Sequence, residues 1–291
     1  MNLAGAFARS KRPSGLIERR CGWLSQRGEG LERSVFVPGL AAQFVLVGLF
    51  GMIVWVMIRR ARGAKRLPRI RKIPGLEAVE EAVGRATEMG RPVHMTYGLG
   101  DIDDAPTFAF WGILGHVAKL CARYETRLIQ TNNNYLVMAI NEEVIRQAYA
   151  EAGRPDRYQP EDVRFLSPWQ FGYASAVLGL FQRERPAANI MIGTFLAESL
   201  IFAEAGHAVG AIQIAGTANT TQLPFFMAAC DFCLLGEEIY AASAYLSRDP
   251  VLTGSVIGQD LAKIFIFALI IIGTVIENLW PHNWFWDLLS R

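Results

Sequence analysis

Three acids stand close together in the stretch Gly98-Leu99-Gly100-Asp101-Ile102-Asp103-Asp104. Carboxylates so spaced can hold a hard divalent cation, but they are also the ordinary company of a helix N-terminus, where free N–H groups and the dipole favour negative charge. The capping role is the simpler one, and no metal is assigned. Gly98 and Gly100 lack the third glycine of a dinucleotide fingerprint, because Asp103 stands in its place, and no Gly-Lys-Ser/Thr phosphate loop occurs. Cys230 and Cys233 form a lone CxxC without a second ligand pair. Their segment, Ala-Ala-Cys-Asp-Phe-Cys-Leu-Leu, reads as a strand, in which residues three apart face opposite sides. With Cys21 and Cys121 they make no disulfide framework. His94, His116, His207 and His282 have no ligand spacing, and Ser199 and Ser243 lack a nucleophile-elbow context. Among the acids near helix starts, Glu198 and Glu237 are expected to be partly buried, the condition that alters a carboxyl's proton affinity.

A side chain does chemistry only where an element holds it, and the elements here recur regularly. Short apolar runs alternate with longer segments of helical periodicity: Val93–Tyr97 then Phe108–Tyr124, Arg127–Gln130 then Tyr135–Glu151, Val163–Leu166 then Trp169–Arg183. Asn189–Thr194 then Leu196–Ala205, Ala211–Ala215 then a helix from Leu223, and Phe232–Leu235 then Glu237–Leu246 continue the series. Such alternation builds βαβ units and a mostly parallel sheet with right-handed crossovers. The strands show no clean polar alternation, as expected when helices cover both faces. The predicted fold over residues 91–250 is α/β, a Rossmann-like doubly wound, mostly parallel sheet.

In such a sheet a ligand binds beyond the carboxyl ends of the strands, near the switch in strand order. Those ends carry small and polar residues. Gly98, Asp101, Thr131, Asn132, Thr194, Glu198, Gly216, Thr217, Asn219, Thr220 and Glu237 are the expected ligand-binding set. Glycine permits close backbone approach, and helix N-termini offer N–H groups to anions. The same Thr and Asn residues would serve equally as caps and turn formers. No cofactor and no catalytic residue follows from them.

The chain's 291 residues are 52% hydrophobic with a net charge of +2, and its mean hydropathy is +0.21. A soluble domain with a few membrane spans fits these values best. Residues 1–34 form an Arg-, Gly- and Ser-rich basic tail expected to be disordered. Val35–Ile58 is free of charge and long enough to cross a bilayer with some tilt. A basic hinge from Arg59 to Lys72 follows, then an amphipathic helix over Ile73–Met89, so that residues 59–90 lead into the α/β domain. A second span covers residues 261–280, with Lys263 and Glu277 at its interfaces, and 281–291 is an aromatic tail. Gly48, Gly51 and Gly273 permit close helix approach within these spans, without a GxxxG. Lys and Arg concentrate on the domain side, which places the domain in the cytoplasm and the C-terminus outside the inner membrane. Trp169–Phe181 and Ala187–Phe202 are also apolar, but Arg183, Glu184, Arg185 and Glu198 assign them to a buried core. The charge distribution shows no nucleic-acid surface.

With the segments in place, the chain resembles a group of bacterial membrane proteins known only by a domain-of-unknown-function label. The residues that carry the resemblance are Gly84-Arg85-Ala86-Thr87-Glu88-Met89-Gly90-Arg91-Pro92-Val93, Glu198, Ala205-Gly206 and Gln213-Ile214-Ala215-Gly216-Thr217-Ala218-Asn219-Thr220. Phe225-Phe226, Ala229-Cys230-Asp231, Gly236-Glu237-Glu238 and Ala241 to Ser247 continue it. The resemblance implies an integral membrane protein with a cytoplasmic domain, and brings no activity.

The functional expectation is a membrane-anchored α/β module that binds a small-molecule ligand or acts as an oligomeric scaffold, with the lipid bilayer and a second copy of the chain as partners. The alternative is a membrane-bound hydrolase or transferase using the strand-end rim. Self-association is expected because Trp169, Phe171, Tyr173, Ala174, Val177, Leu178, Leu180 and Phe181 leave one helix apolar nearly all round, with Phe225 and Phe226 beside it.

Overall fold

The computed structural model describes residues 41–63 and 74–279, so the basic tail, most of the basic hinge and the aromatic tail lie outside the described residues. The chain divides into two units. One comprises residues 50–269, the other 1–49 together with 270–291. The described parts of the second unit are helical ends with exposed side chains, Phe44 to Leu49 on one and Ile270 to Val275 on the other.

The larger unit is built on a six-stranded, all-parallel sheet of order β3-β2-β1-β4-β5-β6. Its strands are β1 (Val93–Gly98), β2 (Leu128–Asn132), β3 (Val163–Phe165), β4 (Ala188–Thr194), β5 (Ile212–Thr217) and β6 (Phe232–Leu235). The helices are α1 (Ala41–Gly63), α2 (Pro74–Glu88), α3 (Ala105–Tyr124), α4 (Tyr135–Glu151), α5 (Gln170–Glu184), α6 (Glu198–Ala208), α7 (Leu223–Ala229), α8 (Glu238–Ser247) and α9 (Pro250–Leu279). The strand order reverses between β1 and β4, which makes the sheet doubly wound, as the alternation of elements implies. One core layer packs α2, α3, α4 and α8 on the sheet through Val79, Val83, Phe110, Ile113, Leu114 and Ile239. The other packs α5, α6 and α7 through Tyr173, Val177, Phe181, Phe202 and Phe226. With both faces covered, β1 and β2 are buried along their whole length.

Both apolar runs assigned to the core, Trp169–Phe181 and Ala187–Phe202, lie in this domain as α5, β4 and α6. Among the described residues, two other helices are long and apolar enough to cross a membrane: α1 over Gln43–Gly63 and α9 over Pro250–Val275. The helix carrying the second apolar run starts well before Leu261, at Pro250. That extension brings in Gly254 and Gly258, a GxxxG spacing outside the span expected from the sequence. A Cβ on Gly254 would lie 2.8 Å from the Ile58 Cα, and one on Gly258 would lie 2.9 Å from the Val54 Cα. The two glycines thus let α9 lie backbone against backbone on α1 within the larger unit.

Candidate functional site

The carboxyl edge of the sheet is set by where the strands stop, and three stop later than their apolar runs suggest, β1 by the single residue Gly98. β2 continues through Thr131 and Asn132 because these pair with Arg164 and Phe165 of β3. β5 continues through Gly216 and Thr217, paired with Leu234 and Leu235. With Gly98 of β1, five residues expected on open loops are therefore strand residues. A Cβ on Gly216 would lie 2.9 Å from Ile239 and 3.0 Å from Leu234, so this glycine accommodates α8 and β6, not a ligand.

Thr131 belongs to a polar chain buried beneath the edge. Gly98 N–H donates to Thr96 Oγ1 at 3.1 Å, and Thr96 lies 2.6 Å from the Tyr173 hydroxyl. Tyr173 lies 2.8 Å from Thr131 Oγ1, which lies 3.0 Å from His94 Nε2. His94 Nδ1 meets Asn189 Oδ1 at 2.9 Å, Asn189 Nδ2 donates to Gln213 Oε1 at 3.2 Å, and Gln213 Nε2 donates to the Ala229 carbonyl at 3.1 Å. A carbonyl can only accept, so the Ala229 end orients the Gln213 and Asn189 amides and leaves Asn189 Oδ1 as an acceptor facing His94. His94 carries its proton on Nδ1, and Nε2 accepts from Thr131. Full burial drives the imidazole pKa down to about 4, against a smaller upward effect of Asn189. Burial likewise pushes the Tyr173 hydroxyl well above its ordinary value. The chain is composed of neutral groups and ties four strands to α5.

Asn132 is taken up on the other face, donating to Gln130 Oε1 at 2.6 Å and accepting from Asn141 at 2.8 Å. Gly98 (φ 77°) and Gly193 (φ 148°) mark the switch point between β1 and β4. A Cβ on Gly98 would lie 2.8 Å from the Phe195 ring, and Leu99 N–H donates to the Thr194 carbonyl at 2.8 Å. Phe195 is itself buried, edge-on to Phe202 and Phe226. The Phe195 ring thus lies over Gly98 at the point where the strand order reverses.

The remaining polar residues bond mainly to one another. Asp101 accepts from Asn134 Nδ2 at 2.9 Å and from Ile102 N–H at 2.7 Å, while Asp104 accepts from Asp101 N–H at 3.0 Å. Asn134 also caps α4 through Leu136 N–H at 2.9 Å. Thr194 Oγ1 reaches Asp104 at 3.5 Å. Glu198, expected to be partly buried, is fully buried, accepting from Gln170 at 2.8 Å and Leu196 N–H at 2.9 Å. Thr217 accepts from Asn219 N–H at 3.2 Å, and Asn219 reaches the Phe195 carbonyl at 3.3 Å and Thr221 at 2.8 Å, leaving Thr220 exposed. Glu237 departs from expectation: its side chain is exposed at the start of α8 and ion-paired with Lys263. Among the described residues, the buried side-chain atoms at this edge left without a hydrogen bond are Thr107 Oγ1 and Asn133 Oδ1. No group of three His, Cys, Asp or Glu side chains among the described residues could hold a metal ion. The CxxC is split between the end of α7 and β6, and burial pushes the Cys230 thiol up to about 12, away from a reactive thiolate.

Nothing in the sequence pattern signals a cavity of about 140 Å³ at the opposite edge, lined by Cys121, Arg127, Tyr149, Tyr158, Asp162 and neighbours. It is assembled from the C-terminal parts of α3 and α4 and the starts of β2 and β3, which no local motif connects. Its charges are spoken for. Arg127 grips Asp162 through bonds of 2.6–3.0 Å and also binds Glu184 at 2.8 Å, while Arg154 and Arg157 bind Glu125 at 2.7 and 2.8 Å.

A family model described as Domain of unknown function (DUF6754) matches residues 32–286. No curated protein and no solved structure matches the chain.

Proposed function

We propose, for a chain that belongs to the DUF6754 family, that it is a membrane-anchored scaffold or binding module whose α/β domain is held in the cytoplasm by α1 and α9. The observation that carries this reading is Phe195, seated on Gly98 where the strand order reverses. An enzyme of this architecture needs an open place at that point, with a base or nucleophile aimed into it. Here the buried acid, Glu198, has an amide and a backbone N–H as partners instead of a base. The length and apolar character of α1 and α9 support the anchors. Arg59, Arg60 and Arg62 at the end of α1 support the orientation. Self-association remains part of the reading on narrower grounds. Tyr173, Ala174, Val177, Leu180 and Phe181 of α5 are core, which leaves Trp169, Phe171 and Leu178 exposed.

The test is topology. A periplasm-only reporter is fused after Ser247 in one chain and after Arg291 in another. Activity at Arg291 alone is expected; activity after Ser247 would place the domain on the other side and refute the reading.

A further inference from the structure

We propose that the turn between β1 and α3 binds a hard divalent cation of the Mg²⁺ type, held by the Asp104 carboxylate and the hydroxyls of Thr107 and Thr194. The acids of this turn look like helix caps in the sequence, but Asp104, which stands at the N-cap of α3, makes no side-chain bond to its helix. Its Oδ2 is turned the other way, accepting from Asp101 N–H at 3.0 Å and lying 3.5 Å from Thr194 Oγ1, across the reversal in strand order. Thr107, in the first turn of α3, is fully buried, and its hydroxyl has no hydrogen-bond partner in the protein. Native folds leave few such groups, and those they leave are met by a ligand, an ion or a water. Gly100 shows where that partner sits. A Cβ on Gly100 would collide with Thr107 Oγ1 and lie 3.4 Å from Asp104 Oδ2 and 3.5 Å from Thr194 Oγ1, so three oxygens from two segments converge beside one glycine. At Gly216 the neighbours are carbon atoms of Ile239 and Leu234, which pack and need nothing more. Buried oxygens need a donor or a positive charge.

The local charge selects a cation. Asp101 and Asp103 are exposed beside Asp104, and among the described residues none of the three has a basic partner. At the opposite edge the acids Glu125 and Asp162 are each held by arginine. The N-terminus of α3 carries the equivalent of about half a positive charge, which three carboxylates outweigh. The donor set then points to the kind of ion. One carboxylate and two hydroxyls are too few for the roughly six to eight oxygens of Ca²⁺, whereas Mg²⁺ takes one or two carboxylates and keeps several of its waters. A single acidic ligand is consistent with the absence of any metal-holding group of three His, Cys, Asp or Glu among the described residues. The bound ion ties the turn after β1 to the end of β4. The site depends on neither α1 nor α9, so the topology of the domain and its cation binding stand or fall separately.

The experiment uses the full chain in an uncharged detergent, with Mn²⁺ as the probe and the loss of the free ion's paramagnetic signal as the readout. The native chain should take up Mn²⁺ saturably, and Mg²⁺ should displace it. Asp104→Asn keeps an acceptor for Asp101 N–H, and Thr107→Val keeps the shape of its side chain. Each should weaken uptake by at least about tenfold, which is what loss of even an outer partner of a metal costs. Thr107→Ser retains the hydroxyl and should bind as the native chain does. In EDTA, where no ion is held, Thr107→Val should melt no lower than the native chain; if Asp104→Asn does melt lower, Thr107→Ser against Thr107→Val decides. Uptake that survives both Asp104→Asn and Thr107→Val, uptake that Mg²⁺ does not displace, or equal loss in Thr107→Ser and Thr107→Val would overturn the assignment. So would a native chain without saturable uptake, which would leave the Thr107 hydroxyl to a bound water.

Discussion

His94 gives its Nδ1 proton to Asn189 Oδ1 at 2.9 Å, across the pair of strands at which the sheet reverses its order. The bond forces Nε2 to act as acceptor for Thr131. A protonated ring would donate from both nitrogens and would place a charge in a fully buried site, which is the effect that lowers its proton affinity.

Stability should therefore depend on pH in a particular window. The unfolded chain takes up the His94 proton near 6.5, whereas the folded chain refuses it down to about 4. Between these values the unfolded state binds more protons, so stability rises with pH there and is flat above 6.5 as far as this group is concerned. The full gap corresponds to roughly 3 kcal/mol, an order-of-magnitude figure for a buried group. Thermal melts of the detergent-solubilised chain at pH 7.5 and pH 5 should diverge for the native sequence, and much less for His94→Gln. Equal slopes would show that His94 does not carry the effect.

Tyr173→Phe should lower stability by about 1–3 kcal/mol, the usual cost of leaving a buried polar partner unpaired. The hydroxyl joins Thr96 to Thr131, and both lose that partner when it is removed. Ser175→Ala, on the same helix but with only an exposed bond to the Phe171 carbonyl, is the control expected to change little. Chemical denaturation midpoints of the two variants decide the point.

The sheet was legible in the sequence because each strand is a short apolar run bounded by turn residues, and local pattern settles such elements. Its edge was not, because strand ends are settled by partners distant in sequence. Thr131, Asn132, Gly216 and Thr217 look like loop residues and become strand residues once β3 and β6 pair with them. Glu198 was legible as a buried acid, since it stands in an otherwise apolar run. Glu237 was not legible as an exposed one, because its partner Lys263 belongs to the second apolar helix. Phe195 carries no local signal for the same kind of reason: only the approach of β1 to β4 places Gly98 under its ring.

Gly216→Val should then report packing and not ligand binding. The added side chain meets Ile239 and Leu234 at 2.9–3.0 Å, and overfilling a packed site costs about 1–3 kcal/mol. Thr220→Ala alters an exposed loop residue and should leave the melting temperature unchanged. If Gly216→Val melted as the native chain does, the close contact between β5 and α8 would be wrong.

The contact of α9 with α1 makes a prediction that separates it from intrinsic helix preference. Leucine is a better helix former than glycine by up to about 1 kcal/mol, so Gly48→Leu, where nothing lies within 4 Å, should be neutral or stabilising. Gly258→Leu should do the reverse, since its Cβ would press on the Val54 backbone, and backbone cannot move aside as a side-chain tip can. Gly254→Leu meets Ile58 in the same way, and the double variant should cost less than the sum of the two, because once the helices part at one glycine the second substitution finds room. Melting of the three variants in nanodiscs provides the comparison. Like behaviour of Gly48→Leu and Gly258→Leu would mean that α9 does not rest on α1. A fall in mass confined to Gly48→Leu would assign that open face of α1 to a second copy of the chain.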